Sequence, residues 1–227
     1  MAIILLASII LALVFLPNAW VKRVLGKYSL PDDRYSGTGA ELAKYLLNKE
    51  SIQGVVIEET EEGDHYDPAK KAVRLAKERY QGRSLTAITV AAHEVGHAIQ
   101  DNDNYAPLRY RTQLIKISRG VEKIGAGVLM ISPFIGILTK APGLSAIVFI
   151  SGLLTLLSST LIHLITLPTE IDASFKRALP LLNKNNILID GDLKHARKIL
   201  TAAAFTYVSA SLMSLLNIAR WWAILRR

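Results

Sequence analysis

The sequence predicts a mainly α-helical membrane protein that contains a small β-hairpin or sheet. First, 51% of the 227 residues are hydrophobic although 20% are charged, and long stretches of the chain contain no charged residue. Second, runs of about 18 or more apolar residues are candidate membrane spans, because a helix needs roughly 20 residues to cross the hydrocarbon core. Third, two short β-branched runs lie in the charged part of the chain, and such runs are typical of strands.

The first uncharged stretch, residues 1–21, is predicted to be an uncleaved membrane anchor. The alternative is a cleaved signal peptide, in which basic residues precede the apolar run. Here no basic residue precedes it, and Lys22 and Arg23 follow it directly. This basic pair also favours a cytoplasmic location for the residues after the anchor.

Three further stretches without Lys, Arg, Asp or Glu lie in the second half of the chain. Residues 141–167 and 199–219 are long enough to span a membrane. Residues 124–139 are fewer and include Pro133, so they form a span, half of a hairpin with 144–165, or a buried helix. The sequence therefore predicts three to four membrane helices.

The distribution of charge predicts which parts face water. Residues 22–123 hold 17 Lys and Arg against 15 Asp and Glu, and residues 166–198 hold six against four. Placing both regions on the cytoplasmic side of an inner or plasma membrane, in a multi-pass protein, satisfies the positive-inside rule. Arg226 and Arg227 then either reach the far interface or follow a helix that is buried or interfacial. We find no basic patch with interleaved aromatic residues, so no nucleic-acid partner is expected.

The water-facing region is predicted to combine helices with two strands. A helix capped by Ser36 or Thr38 carries apolar residues at helical spacing as far as about Asn48. Residues 52–57 are a predicted strand. Pro68 opens either a short helix or, as we favour, a turn into a second strand at 72–75. The two strands together would form a small hairpin or sheet beside the next helix.

That next helix runs from the N-cap candidate Ser84 to about Asp101 and carries the motif His-Glu-x-x-His. Residues four apart lie on one face of a helix, so His93 and His97 can direct both imidazoles at one ion. Glu94 lies about 100° away around the helix, close enough to act on a water molecule at that ion. The motif predicts a zinc site.

Two further features of this helix bear on the zinc site. The residues before the motif are small or apolar, which indicates a packed helix, and buried histidine and glutamate are costly without partners. Gly96, between the histidines, leaves room for the close approach of another backbone. The alternative to zinc is a pair of histidines that bond to nearby carboxylates.

After the motif helix, a charged amphipathic helix is predicted over about 108–122.

A catalytic zinc needs three protein ligands and one open position for water. The chain has no cysteine, so the third ligand is a histidine or a carboxylate. Glu170 is the strongest candidate, because it follows a long apolar segment, where an acidic residue is costly unless it serves a site. Glu170 could instead be an acid at a helix N-terminus, where the helix dipole favours it. The rival candidate for the third ligand is His65. Asp172 is predicted either to orient a ligand imidazole through its second nitrogen or to be a solvated acid.

Four ordered blocks contain these residues. They are Asp64–Pro68 (DHYDP), Ala91–Gln100 (AAHEVGHAIQ), Leu167–Ser174 (LPTEIDAS) and Ala202–Ala210 (AAAFTYVSA). In this order they resemble the YugP-like family of membrane zinc metallopeptidases over nearly the whole chain. The resemblance implies a zincin-like catalytic core packed on the three to four membrane helices, similar in plan to the HtpX and CAAX-protease type of gluzincin, with Zn²⁺ as the cofactor.

Carried over residue by residue, the resemblance implies that His93, His97 and Glu170 are the zinc ligands and that Glu94 is the general base. In the HtpX type an Asp follows the third ligand by four residues. Here position 174 is Ser, and the Asp is at position 172.

The predicted function is that of a membrane-embedded zinc endopeptidase whose substrate is a membrane or membrane-adjacent polypeptide and whose other partner is the lipid bilayer. Zinc lowers the pKa of its bound water, and Glu94 takes the proton of that water and passes it to the leaving amine. The developing oxyanion needs a further donor, for which Tyr207, His195 and His163 are candidates. Tyr207 is otherwise a tyrosine of the core or of a membrane interface.

Two other functions compete with this prediction. A non-catalytic membrane scaffold would hold a structural metal in a closed site, without a position for water. A transporter or channel is disfavoured, because the long apolar segments hold a single ionisable residue, His163.

The predicted organisation has five parts. In chain order they are an N-terminal membrane anchor (1–21), a cytoplasmic metallopeptidase region with the motif helix (22–123), a membrane helical hairpin (124–167), the region of the third ligand (168–198), and a C-terminal membrane or membrane-associated helix (199–227).

Overall fold

The structure is a computed structural model that describes residues 2–206, with side chains except those of residues 2–14 and of scattered positions between 118 and 164. The described residues form two compact units. One contains residues 2–18 and 110–166, and the other contains residues 19–109 and 167–206. The second unit holds the motif helix and both predicted strands.

Helices dominate the described part of the chain, beside a small sheet. The helices are α1 (Ala2–Lys27), α2 (Gly39–Lys49), α3 (Lys77–Tyr80), α4 (Leu85–Asn102), α5 (Ala106–Thr139), α6 (Pro142–Ile171), α7 (Leu179–Lys184) and α8 (193–206). A π-helical segment, Asp172–Ala178, lies between α6 and α7. The strands are β1 (Val56–Thr60), β2 (His65–Asp67) and β3 (Ala72–Ala76).

Side-chain caps define where two helices begin. The Thr38 hydroxyl accepts a hydrogen bond from the Glu41 backbone N–H at 3.2 Å, and the Glu41 carboxylate accepts one from the Thr38 N–H at 2.7 Å. This reciprocal pair satisfies two of the N–H groups that have no partner within the helix. The Ser84 hydroxyl accepts from the Ala87 N–H at 3.1 Å and caps α4. The predicted caps Thr38 and Ser84 are therefore confirmed.

The sheet has the order β1-β3-β2, with β3 in the centre. β1 pairs with β3 in parallel, and β2 pairs with β3 antiparallel. The predicted strand at 72–75 is confirmed, whereas the one predicted at 52–57 begins only at Val56. Gly54 has a φ of 74°, which interrupts the extended backbone, and Ile52 packs into the core before that turn. β2 has three residues, too few for a visible alternation of apolar and polar side chains.

The core of the second unit is built around α4. Fifteen of the 18 residues of α4 are buried, and α2, β3, the π-helical segment and α7 pack against it. Alanines at positions 87, 91, 92 and 98 let these neighbours approach closely. The polar residues of the motif are therefore carried by the most enclosed helix of this unit.

Among the described residues, no helix is both long enough and apolar enough to cross a membrane. The prediction of a core packed on three to four membrane helices is therefore wrong, although the mainly helical class with a small sheet agrees with the structure. The prediction treated each uncharged stretch by itself. Two of these stretches belong to longer helices with charged turns: α1 continues through Lys22 and Arg23, and residues 124–139 are the end of α5, which carries Arg111 and Lys116.

Asp192 fixes the start of α8. Its carboxylate is buried and accepts hydrogen bonds from Arg34 Nε and Nη2, at 2.7 and 2.9 Å, and from the Tyr35 hydroxyl at 2.7 Å. Its backbone carbonyl accepts from the N–H groups of His195 and Ala196. Burial alone would raise the pKa of this carboxyl, but the hydrogen bonds from Arg34 and Tyr35 outweigh burial and hold the pKa below its ordinary value.

We expect Asp192→Asn to lower the free energy of unfolding at pH 7, with a difference from wild type that shrinks in acid. The folded-state pKa of Asp192 is lowered, so its contribution is present above the unfolded pKa and is lost as the pH falls through the folded pKa. Urea denaturation at pH 7 and at stepwise lower pH measures the difference. Asp190→Asn, at an exposed neighbouring position, is the control. A difference that does not change with pH would contradict this interpretation.

Candidate metal centre

Three buried side chains from two helices converge in the second unit. α4 contributes His93 and His97, and the last turn of α6 contributes Glu170. Their exposed fractions are 4%, 2% and 0%. The ligand atoms of the three residues lie within 4.8 Å of one another, and Nε2 of each imidazole is 3.3 Å from Oε2 of Glu170. The structure thus brings together the three residues that were predicted as zinc ligands.

The orientation of His97 is set by Gln100, which follows it by three residues on α4. The amide nitrogen of Gln100 donates to Asp172 Oδ2 at 2.8 Å and to the Thr169 carbonyl at 3.0 Å. Because a carboxylate and a carbonyl only accept, the amide oxygen must be the atom that faces His97 Nδ1, at 2.9 Å. Nδ1 of His97 therefore carries a hydrogen, and in the neutral imidazole the lone pair is on Nε2.

The orientation of His93 depends on a hydroxyl group. Ser174 Oγ lies 3.1 Å from His93 Nδ1 and 3.4 Å from the backbone carbonyl of Leu200 in α8. The carbonyl can only accept, so the hydroxyl donates to it and accepts from the N–H at Nδ1. The lone pair of His93 is then also on Nε2, the nitrogen that faces Glu170.

Three lone pairs consequently face one point, two from the imidazole Nε2 atoms and one from Glu170 Oε2. When both imidazoles are neutral and the carboxylate is ionised, these acceptors at 3.3 Å repel each other, and a cation between them would turn this repulsion into attraction. Zinc bonds to nitrogen and oxygen of about 2.0–2.2 Å in a tetrahedral site place the ligand atoms about 3.3–3.5 Å apart. The donor set and the two nitrogen–oxygen distances of 3.3 Å therefore fit zinc.

The π-helical segment directly after Glu170 brings its own side chains against α4. Asp172 and Ser174 are buried there, and π-helical turns are found frequently at functional sites. A Cβ atom added to Gly96 would lie 2.7 Å from the carbonyl oxygen of Ala173. The two backbones are thus in contact at Gly96, as the sequence predicted for this glycine.

We expect Gly96→Ala to push the π-helical segment away from α4. The free energy of unfolding should fall by about 1–3 kcal/mol, the usual cost of overpacking. Zinc affinity should fall as well, because the distance between Glu170 and the histidines increases. Urea denaturation and zinc titration measure the two effects. Gly120→Ala in α5, where an added Cβ meets nothing within 4 Å, should leave both unchanged. Wild-type stability of Gly96→Ala would show that the contact can relax.

Two further predicted residues lie close to this group. Glu94 is buried on α4 directly after His93 but is not part of the three-residue group. Asp172 is buried as well. Its carboxylate accepts hydrogen bonds from Gln100 and, at 3.0 Å, from Arg177 Nε. Asp172 is therefore linked to the His97 imidazole through Gln100.

The rival histidines have other partners. His65 lies in β2 with Nδ1 2.8 Å from the Gly63 carbonyl. His195 in α8 packs its ring against Tyr28, with ring centroids 5.0 Å apart. Neither belongs to the three-residue group found among the described residues. Tyr207 and the side chain of His163 lie outside the described residues.

Sequence reasoning missed Gln100, Ser174 and Arg177. One signal for Gln100 was available, because it follows His97 by three residues and so lies on the same face of the helix. Ser174 follows Glu170 by four residues, but serines in helices are common. Arg177 reaches the site only through the π-helical segment, and no pattern in the sequence indicates that segment.

His93, His97 and Glu170 form a group that could hold a metal ion, and the comparison with known proteins agrees with a metal site. The chain belongs to a family of zinc metallopeptidases, since residues 2–226 match the family described as "Putative neutral zinc metallopeptidase". It is similar to the "Putative membrane protease YugP" of Bacillus subtilis (strain 168), at 34% identity over 223 residues that cover 97% of this chain and 95% of that protein. No solved structure matches the chain. The predicted family is confirmed.

Proposed function

We propose that this protein is a zinc-dependent endopeptidase in which His93, His97 and Glu170 hold Zn²⁺ and Glu94 is the general base. The observation that carries the proposal is the convergence of two imidazole lone pairs and one carboxylate oxygen at 3.3 Å in a buried site. Three protein ligands leave a fourth position for water, which is the arrangement of catalytic rather than structural zinc. The family to which the chain belongs supports zinc and peptide hydrolysis.

When bound, zinc supplies a Lewis acid that activates water and polarises the peptide carbonyl. Glu94, buried on α4 beside the ligands, accepts a proton from the attacking water and returns it to the amine that leaves. Gln100 and Ser174 hold the two imidazoles in the orientation that directs Nε2 to the site. Tyr207 is proposed as the donor to the developing oxyanion.

We also propose that the protein associates with a lipid bilayer. Large apolar side chains are exposed along α5 and α6, and soluble monomers rarely expose large contiguous apolar surfaces. They include Ile124, Met130, Ile131, Phe134, Ile137 and Leu138 on α5 and Leu144, Ile147, Ile150 and Leu154 on α6. The printed name of the B. subtilis relative is also that of a membrane protease.

The proposed location is the inner or plasma membrane, with the metal site on the cytoplasmic side. The balanced charge of residues 22–123 and the absence of cysteine agree with that side. The proposed substrate is a membrane or membrane-adjacent polypeptide. Co-sedimentation of the purified full chain with vesicles of mixed neutral and anionic lipids tests the association with lipid.

The central experiment measures zinc per chain and hydrolysis of an unfolded protein such as casein by the purified full chain. We expect one zinc per chain and cleavage that stops on chelation and returns with added zinc. A preparation without zinc would contradict the proposal. Bound zinc without cleavage of any polypeptide supplied would favour the scaffold with a structural metal.

A further inference from the structure

We propose that Gln100 is the residue that positions His97 for the metal, and that Arg177 holds Gln100 in place through Asp172. This inference depends on the proposed zinc site and extends it, because it names the residues that determine how tightly the ion is held. Gln100 and Arg177 do not touch the metal position themselves, so both are positioning residues.

Arg177 joins the π-helical segment to the end of α4. Its Nε donates to Asp172 Oδ2 at 3.0 Å, and its Nη1 donates to the carboxylate of Asp103, the C-cap of α4. Its guanidinium also lies over the ring of Tyr105, 5.7 Å from the ring centroid. One planar cation therefore makes three contacts, a geometry that lysine does not reproduce.

Burial makes this arrangement costly to break. The side chain of Asp172 is 8% exposed and that of Arg177 is 18% exposed. A buried carboxylate needs compensating charge and hydrogen bonds, and Arg177 supplies both. Lys176, at 3.9 Å from Asp172, adds little because its side chain is 77% exposed to water.

Gln100 uses three hydrogen bonds, two as a donor and one as an acceptor. Its amide cannot flip without placing its oxygen against Asp172 and the Thr169 carbonyl, which are both acceptors. The amide oxygen therefore stays directed at His97 Nδ1. Arg177 holds Asp172, Asp172 holds the Gln100 amide, and the Gln100 oxygen keeps the hydrogen of His97 on Nδ1. The lone pair of His97 is therefore kept on Nε2.

The support of the second imidazole is weaker. Ser174 bonds His93 at 3.1 Å and the Leu200 carbonyl at 3.4 Å, and neither partner is charged. Neutral hydrogen bonds are about half as strong as charge-assisted ones. We therefore expect loss of Gln100 to reduce zinc affinity more than loss of Ser174.

The test measures zinc affinity of the full chain by competition with a coloured chelator. Gln100→Leu keeps the volume of the side chain and removes its hydrogen bonds, so affinity should fall about 10–100-fold, as is typical when the partner of a ligand is lost. The loss of zinc affinity in Ser174→Ala should be smaller. The matched control is Gln81→Leu, because Gln81 donates its amide hydrogen to Glu59 at 2.8 Å on the exposed surface. It should bind zinc as wild type does.

A second variant tests the role of Arg177. Arg177→Lys keeps the charge but cannot keep both carboxylate contacts, so zinc affinity should fall in the same direction. Arg74→Lys is its control. Arg74 also bridges two carboxylates, Glu58 at 2.9 Å and Asp67 at 3.0 Å, but in the sheet. If Gln100→Leu does not fold, Arg177→Lys decides the question.

Nitrogen NMR of zinc-free protein labelled at histidine separates positioning from general stability. His97 should carry its hydrogen on Nδ1 in wild type and should exchange between both nitrogens in Gln100→Leu. A loss of stability alone would lower the melting temperature without changing this signal. If Gln100→Leu or Arg177→Lys binds zinc as tightly as wild type does, the inference is overturned. The proposed zinc site itself would still be supported, because wild type binds the ion. Absence of zinc from wild type would overturn the proposed function instead.

Discussion

Glu94→Gln is expected to lower the rate of peptide hydrolysis at least about 100-fold while the zinc remains bound. The amide has the size of the carboxylate but cannot accept a proton from the attacking water. Glu94 is not among the three residues whose ligand atoms converge, so the zinc content should not change. The rate should fall by about 10²–10⁴-fold, the usual contribution of a general base. Initial rates of casein cleavage and elemental analysis for zinc measure the two quantities on the same samples.

Glu78→Gln is the matched control, because Glu78 lies in the short helix α3 with its side chain 80% exposed. It should have wild-type activity and wild-type zinc. Hydrolysis retained by Glu94→Gln would remove the general-base role. Loss of zinc together with activity would mean that Glu94 supports the site rather than the proton transfer.

The parts of the site that the sequence predicted are those set by local geometry or by the chemistry of the ion. His93 and His97 share a face because of the helical repeat, and the caps of α2 and α4 follow from single residues. Glu170 is 73 positions beyond His97 in the chain, so no local pattern connects the two. Its selection depended on the need of a catalytic zinc for a third ligand.

The parts that the sequence did not predict depend on tertiary register. Asp172, the first residue of the π-helical segment, meets Gln100 and not an imidazole. β1 pairs in parallel with β3, and the strand between them in the chain, β2, takes the other edge of β3. The prediction of membrane helices was wrong, since among the described residues no helix is both long and apolar enough to cross a membrane; it counted apolar length along the sequence and ignored the charged turns within α1 and α5.

Glu170→Ala is expected to lose zinc. The variant keeps two neutral imidazoles but removes the carboxylate, which supplies both the third bond and the negative charge of the buried site. The affinity should fall by more than about 100-fold, beyond the loss that follows when only the partner of a ligand changes. Zinc per chain, measured beside wild type, checks this. His65→Ala is the control for the rival ligand and should keep its zinc. Full occupancy of Glu170→Ala would move the third ligand elsewhere.

Glu170→Gln tests the same role of Glu170 through thermal stability. The difference in melting temperature between this variant and wild type should change sign when zinc is added. Without zinc, and at a pH high enough that both imidazoles are neutral and the carboxylate is ionised, wild type places Glu170 Oε2 against two imidazole Nε2 lone pairs at 3.3 Å. The amide nitrogen of glutamine can donate to one of them, so the zinc-free variant should melt above zinc-free wild type. With zinc in excess the order should reverse, because only wild type gains stability from binding the ion. A variant that melts below wild type in both conditions would mean that Glu170 stabilises the fold and that its oxygen does not face a metal position.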